Sequence, residues 1–191
     1  MLLFLICHIL STLNSKYIHS NLAIRYLKGY CKDRYPSIKI REFTINDQID
    51  RILGELYAEK PDVLGMSCYI FNISPTLLLV DTLKQILPNC IIILGGPEVS
   101  FDGESTMLRH KSIDYIVSGE GEETFKELLY AIEGGVSAES VKGIYYRDNG
   151  RIIRNDPRPL IKSLDFIPFP YKDGFDDLDN KIIYYETSRG C

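Results

Sequence analysis

Glycines next to predicted strand ends are the residues whose type and spacing point most directly to ligand chemistry. Gly95-Gly96-Pro97-Glu98 follows an isoleucine-rich run. Two glycines there remove side chains, so a large flat or elongated ligand can approach the backbone closely. A tight turn that needs a positive φ is the alternative reading. Gly119-Glu120-Gly121 opens a helix, where backbone N–H groups can meet an anion, although the neighbouring glutamates oppose a phosphate and can serve as helix caps instead.

Polar side chains follow two further predicted strands. Ser67 and Tyr69 stand near the end of the third strand, where they can hydrogen-bond a ligand, while a serine there also permits close packing. The loop 11–20 precedes the first predicted helix, and its His19 offers an imidazole that can coordinate a metal. A cap or surface position is the alternative for His19. Together these loops predict a large polar cofactor above one edge of a sheet, without naming it.

The elements that must position these loops alternate between strand and helix. Apolar runs predict strands, and apolar residues at helical spacing predict helices between them. This alternation predicts an α/β fold, a doubly wound five-stranded parallel sheet with helices on both faces. We expect the flavodoxin-like order 2-1-3-4-5, in which ligands bind at the carboxyl ends of the strands. The predicted strands are 2–10, 37–44, 62–69, 90–94 and 113–117, and the predicted helices are 21–32, 49–56, 75–87, 104–110 and 122–133.

The pattern changes after residue 135. Residues 143–147 and 151–154 predict a hairpin that turns at Asp148-Asn149-Gly150. The four prolines of 155–180 predict an extended connector, and 181–186 predicts a new strand. We therefore expect a ligand-binding domain at 1–135, a hairpin and linker at 136–180, and the truncated start of another domain at 181–191.

The composition is that of an ordinary globular domain: 191 residues, 45% hydrophobic and 25% charged. A net charge of −4 with no block of like charge predicts neither nucleic acid nor a membrane as partner. The apolar opening 1–10 is shorter than the roughly 18 residues of a membrane helix, and we expect a buried strand there. Five cysteines, an odd number without disulfide-like spacing, indicate a reducing, cytoplasmic setting.

Several stretches together resemble cobalamin-dependent radical S-adenosylmethionine (SAM) enzymes, the group that includes the anaerobic magnesium-protoporphyrin IX monomethyl ester cyclase and many methyltransferases. The last stretch is the most specific, because Glu-Thr-Ser-Arg-Gly-Cys precedes the remaining cysteines of a 4Fe–4S cluster motif in that family. The stretches are Gly65–Asn72, Leu94–Ser100, Asp114–Phe125, Ser163–Tyr171 and Tyr184–Cys191.

The resemblance implies cobalamin above the carboxyl edge of the sheet, presented to the protein's own C-terminal radical SAM barrel for methyl transfer or oxidative cyclisation. It implies that the cluster and SAM belong to the full-length protein, with Cys191 as the first cluster ligand. The resemblance does not indicate which substrate the full-length protein uses. The expected cobalamin-binding residues are Asn14, Ser15, Tyr17, His19, Ser67, Tyr69, Asn72, Gly95, Gly96, Pro97, Glu98, Gly119, Glu120 and Gly121.

The Asp-x-His-x-x-Gly motif of cobalamin-dependent mutases is absent, which weakens ligation of cobalt by His19 more than cobalamin binding itself.

Two other interpretations remain open at the level of sequence. A flavodoxin-like or receiver-like module without a corrin is one alternative, although residues 2–10 hold no acidic residue and the third strand ends in Cys68-Tyr69. A degenerate scaffold domain that has lost the cofactor is the other.

Overall fold

The computed structural model describes residues 6–172, 174 and 178–189. Its strands form one sheet in the order β2-β1-β3-β4-β5-β6-β7. Neighbours among β1 to β5 are parallel, which confirms the doubly wound sheet and its order 2-1-3-4-5. The strands are β1 His8–Asn14, β2 Lys39–Thr44, β3 Val63–Ser67, β4 Ile91–Gly95, β5 Tyr115–Val117, β6 Ile144–Asp148 and β7 Arg151–Arg154.

Helices cover both faces of this sheet. The predicted helices are all present, and a further short helix, α4, follows β4 directly where a loop was expected. Helix α1 packs beside α6 on one face, and α2 packs beside α3 on the other. The helices are α1 Leu22–Cys31, α2 Ile49–Glu59, α3 Ile73–Ile86, α4 Pro97–Ser100, α5 Gly103–Arg109 and α6 Gly121–Ile132.

Two hydrophobic layers hold the helices to the sheet. Alternate strand residues point to opposite faces, so Leu64 packs with α2 and α3 while Val63 packs under α1 and α6. On the α6 side Phe125, Leu128 and Leu129 are all buried, as the helical spacing predicts. The strands are covered on both faces, which explains their nearly continuous apolar sequences.

The first strand lies further along the chain than expected. Residues 2–5 of the predicted strand lie outside the described residues, and β1 runs on to Asn14, through the first four residues of what was expected to be a loop. Its polar residues can be buried because neighbouring strands satisfy them. Ser11 Oγ donates to the carbonyl of Arg41 at 2.8 Å, and Thr12 lies within hydrogen-bond distance of Ser67.

The predicted hairpin is present and extends the sheet. Strand β6 pairs antiparallel with β5, and β7 pairs antiparallel with β6. Asn149 and Gly150 join the two strands with φ of 46° and 79°, as a two-residue type I′ turn requires.

The segment after the hairpin is anchored to the domain mainly by side-chain contacts and not by a paired strand. The expected strand over 181–186 is wrong, because the described residues there make one isolated bridge, between His19 and Ile182. Tyr171 in the connector is buried, and its hydroxyl donates to the carbonyl of Tyr184 at 2.6 Å. Within the ranges given above, no helix has the length and apolarity needed to cross a membrane.

Candidate functional site: a cavity at the carboxyl edge of the sheet

A cavity of about 480 Å³ lies between the sheet and helices α1 and α6 and reaches the carboxyl edge. Leu10, Ile93 and Phe125 make its deeper walls apolar. Its volume is within the range of small-molecule and cofactor sites. The other lining residues are Leu22, Ala23, Ile24, Tyr26, Leu27, Gly65, Met66, Ser67, Tyr69, Leu94, Gly95, Gly96, Val117, Gly119, Glu120, Gly121, Glu122, Leu160, Glu186 and Arg189.

Three glycines near the strand ends keep this space open for different reasons. A Cβ on Gly65 would lie 2.8 Å from Leu10 Cδ2, the end of a flexible side chain, so Leu10 would have to shift to admit a side chain there. Gly96 has a φ of 115° and a Cβ there would lie 2.3 Å from the Cys68 carbonyl oxygen, so the backbone itself requires glycine. Gly95 has neither constraint, because its Cβ would approach nothing closer than 3.8 Å. The missing side chain at Gly95 therefore leaves room that the fold does not need.

A buried polar cluster sits at the strand ends beside the cavity. Ser67 Oγ donates to Thr12 Oγ1 at 2.7 Å, and Asn21 Nδ2 donates to Ser67 Oγ at 3.2 Å. Asn21 also caps α1, because its Oδ1 accepts from the Ile24 N–H at 3.1 Å. Ser67 is the member of this cluster that lines the cavity, so its hydroxyl oxygen is a polar group beside the apolar inner walls.

The mouth of the cavity carries charge. The Arg189 guanidinium lies 2.5 Å from a carboxylate oxygen of Glu122 and 2.6 Å from one of Glu186. Burial lowers the pKa of Arg189, but the hydrogen bonds that its guanidinium donates to these two carboxylates outweigh burial and raise it. Glu120 accepts a hydrogen bond from the Ile161 backbone N–H and lies 3.7 Å from Arg189. The alternative interpretation of Glu120 as a helix cap is wrong, because no side-chain cap bond forms at the start of α6.

Two uncharged ionisable groups flank the end of β3. Burial raises the pKa of Tyr69, against a hydrogen bond from Asn21 that lowers it, so the phenol is neutral at pH 7. Burial raises the pKa of Cys68 to about 12, which leaves its thiol protonated and unreactive. Neither group supplies a thiolate or phenolate to a ligand in the cavity.

Half of the binding residues expected from sequence line the cavity together: Ser67, Tyr69, Gly95, Gly96, Gly119, Glu120 and Gly121. They come from the ends of three different strands, β3, β4 and β5. That convergence follows from the parallel topology, which brings carboxyl ends to one edge.

The other expected residues do not line this cavity. Asn14 is buried and donates to the carbonyl of His19 at 2.9 Å, so it shapes the loop after β1. Tyr17 is 68% exposed on that loop. His19 Nδ1 lies 2.6 Å from the Tyr184 hydroxyl, and Ser15 lies partly buried nearby.

Asn72, Pro97 and Glu98 also lie outside the cavity lining. Asn72 is fully buried, where it accepts from the Tyr69 N–H at 2.7 Å and donates to the carbonyls of Leu13 and Ser67, so it pins the turn after β3. Pro97 and Glu98 are exposed in the first turn of α4. Cys191, the expected cluster ligand, lies outside the described residues.

Sequence reasoning missed two residues that line the cavity, Glu122 and Arg189, and two in the polar cluster beside it, Thr12 and Asn21. Thr12 was assigned to a loop, although it lies in β1. Asn21 stands directly before an apolar helical stripe, a capping pattern that could have identified it. Glu122 and Arg189 are 67 residues apart, and nothing local in the sequence indicates that they pair.

Comparison with known proteins decides the family. The model of the B12 binding domain matches residues 10–129, well over half of the chain. This chain belongs to the B12-binding domain family. An uncharacterized methyltransferase of Pyrococcus horikoshii is 37% identical over 178 residues, which cover 89% of this chain and 38% of the relative. The anaerobic magnesium-protoporphyrin IX monomethyl ester cyclase of Synechocystis sp. is 35% identical over 118 residues, 57% of this chain and 23% of the relative.

Solved structures show the same fold. This B12-binding domain superposes on the cobalamin-dependent SAM radical enzyme OxsB, with aqua-cobalamin and SAM bound, with a TM-score of 0.69. The identity is 22%, over 86% of this chain and 24% of OxsB. The radical SAM methyltransferase TsrM from Kitasatospora setae, with cobalamin and a 4Fe–4S cluster bound, gives a TM-score of 0.62 at 19% identity, over 83% of this chain and 30% of TsrM.

The B12-binding domain spans about two fifths or less of the curated relatives named here. The resemblance to cobalamin-dependent radical SAM enzymes noted from the sequence is confirmed. The domain limits and the roles of single site residues remain predictions.

Proposed function

We propose that this chain binds cobalamin with the nucleotide tail in the cavity beneath α1 and α6, and presents the corrin ring at the carboxyl edge to a radical SAM domain of the full-length protein. The observation that carries the proposal is the open space at Gly95, which the fold leaves empty without a packing reason. A corrin with its side chains is far larger than the cavity, so only a slim part of the cofactor can enter.

The residues present fit such a ligand. A flat aromatic base can lie against the apolar side chains of Leu10, Ile93 and Val117. Polar atoms of the tail can hydrogen-bond to the Ser67 hydroxyl at the end of β3. The exposed Gly119, with a φ of 83° and no atom within 4 Å of its Cβ position, leaves space at the rim for the ring.

We assign catalysis to the rest of the full-length protein. Bound cobalamin supplies a cobalt centre that carries a methyl group or takes part in ring formation, while this chain binds and orients it. We propose Cys191 as the first ligand of a 4Fe–4S cluster that binds SAM, and a cytoplasmic, reducing setting for the protein. The catalytic domain, and not this chain, binds the substrate, which is a small molecule or a macromolecule.

Retention of cobalamin tests the proposal. The purified chain is mixed anaerobically with hydroxocobalamin and desalted, and the visible spectrum is recorded. We expect the wild type and Gly95→Ala to retain the cofactor and Gly95→Leu, which fills the cavity, to lose it. Equal retention in Gly95→Leu would place the cofactor elsewhere. If neither the chain nor the full-length protein retains cobalamin, the scaffold reading replaces this one.

A further inference from the structure

The last described part of the chain crosses the mouth of the cavity and is tied down at both ends. At its start, Ile182 donates its N–H to the Ile18 carbonyl at 2.6 Å, and Ser20 Oγ donates to the Ile182 carbonyl at 2.8 Å. At its end, Arg189 pairs with Glu122 at the start of α6. The segment 182–189 therefore runs from the loop after β1 to the N-terminus of α6.

The Arg189 contact is built into the domain. The Glu122 side chain is 5% exposed, although carboxylates are almost never buried without a partner. Its position in the first turn of α6 also suits a negative charge. The Arg189 guanidinium lies 5.2 Å from the centre of the Tyr26 ring on α1, so it bridges the two helices that cover the cavity.

We propose that Arg189 is a positioning residue. Its ion pair with Glu122 fixes the position of the chain beside the mouth of the cavity. Arg189 is two residues before Cys191. Because one residue separates Arg189 from Cys191 in the sequence, the reach of the chain from this pair limits how far from the mouth of the cavity a group bound to Cys191 can lie. The consequence of the pair for a catalytic centre rests on the proposed function, whereas the anchoring itself does not.

Hydrogen exchange of this chain tests the anchoring without any ligand. Removing either partner weakens this partly exposed contact, and a loss of about 1.4 kcal/mol corresponds to a tenfold change in the exchange rate. We expect the amides of Ile182 and Glu186, which donate to the Ile18 carbonyl and the Tyr26 hydroxyl, to exchange about tenfold faster in Glu122→Gln and in Arg189→Gln. The double variant should exchange no faster than Arg189→Gln alone, because both changes break one contact. Unchanged exchange in both single variants would overturn the proposal.

Glu123→Gln is the matched control. Glu123 is the next residue on α6 and also pairs with an arginine, Arg158 at 3.1 Å, but that pair lies away from the segment. Arg158 keeps its second partner, Glu127, so the fold should be unaffected. Exchange of the Ile182 and Glu186 amides should remain at the wild-type rate in this variant. An equal acceleration there would make the effect a general consequence of lost charge and would contradict the proposal.

A distance measurement then tests positioning relative to the cofactor. Ser188 is exposed, so a nitroxide on Ser188→Cys, with Cys7 and Cys191 replaced by serine, can be paired magnetically with bound cob(II)alamin. We expect one narrow distance distribution with Glu122 present and at least about twofold broadening in Glu122→Gln. A wild-type distribution as broad as that of Glu122→Gln would overturn the positioning role. Absence of cobalamin from every variant would count against the proposed function alone, since hydrogen exchange still decides the anchoring.

Discussion

A Cβ atom on Gly96 would lie 2.3 Å from the carbonyl oxygen of Cys68, while the nearest atom to a Cβ on the adjacent Gly95 would be 3.8 Å away. The two glycines of one motif therefore have different roles. Gly96 allows β4 to turn against the end of β3, and Gly95 leaves space beside the cavity.

Unfolding in urea should separate these roles. Gly96→Ala combines a positive φ with a backbone clash, so we expect a loss of about 3 kcal/mol or more in the free energy of unfolding. Gly95→Ala should change it by less than about 1 kcal/mol, because β-region backbone accepts alanine and the space is free. Equal losses in the two variants would show that both glycines serve only the fold.

Removal of the polar cluster should reduce stability even without ligand. Asn21→Ala removes the α1 cap and leaves Ser67 and Thr12 without their amide donor. We expect a loss of about 2–3 kcal/mol, and a smaller loss in Asn21→Ser, which can still cap the helix. Thermal unfolding of both variants beside the wild type measures this difference. If Asn21→Ser lost as much stability as Asn21→Ala, the helix cap would make no contribution to the free energy of unfolding.

The topology and its site were predictable to different degrees. The order of elements followed from apolar runs of strand length alternating with helical stripes, because burial dictates both patterns. The end of β1 was misplaced because Ser11, Thr12 and Asn14 look like loop residues, and only the neighbouring strands satisfy them. Asn72 was expected to contact a ligand but pins a turn. Local patterns cannot distinguish these roles, since both place polar residues after a strand.

The buried His8 should make stability depend on pH. Burial lowers the pKa of His8 from its ordinary value of 6.5, although Glu133 and Asp62 oppose this shift. The unfolded chain therefore takes up the proton first as the pH falls. The contribution of neutral His8 is fully present above pH 6.5 and is lost as the pH falls through the lower folded pKa.

His8→Phe isolates this contribution, because an aromatic ring is kept against Tyr35 while the titration is removed. We expect the free energy of unfolding of the wild type, measured by urea at several pH values, to fall more steeply between pH 7 and pH 5 than that of His8→Phe. If the free energies of unfolding of the wild type and of His8→Phe changed in parallel with pH, protonation of His8 would not affect stability.

Three buried thiols should resist modification in the folded chain. Burial raises the pKa of Cys31, Cys68 and Cys90 to about 12 each. With Cys7 and Cys191 replaced by serine, we expect essentially no reaction with a maleimide at pH 7.5, and three labels per chain after unfolding. Mass spectrometry counts the labels. Rapid labelling of Cys68 in the folded protein would contradict the burial of the β3 end.

If the nucleotide tail of cobalamin occupies the cavity at Gly95, cobinamide, which lacks the tail, must bind more weakly than cobalamin. Burying roughly 100–150 Å² of a flat base at about 25 cal/mol per Å² contributes about 3 kcal/mol, or about 100-fold in affinity. We expect titrations of the wild-type chain to give a Kd for cobalamin about 100-fold below that for cobinamide, and Gly95→Leu to bind the two ligands equally weakly. If the wild type bound both ligands with the same Kd, or if Gly95→Leu kept the full preference, the tail would not lie in this cavity.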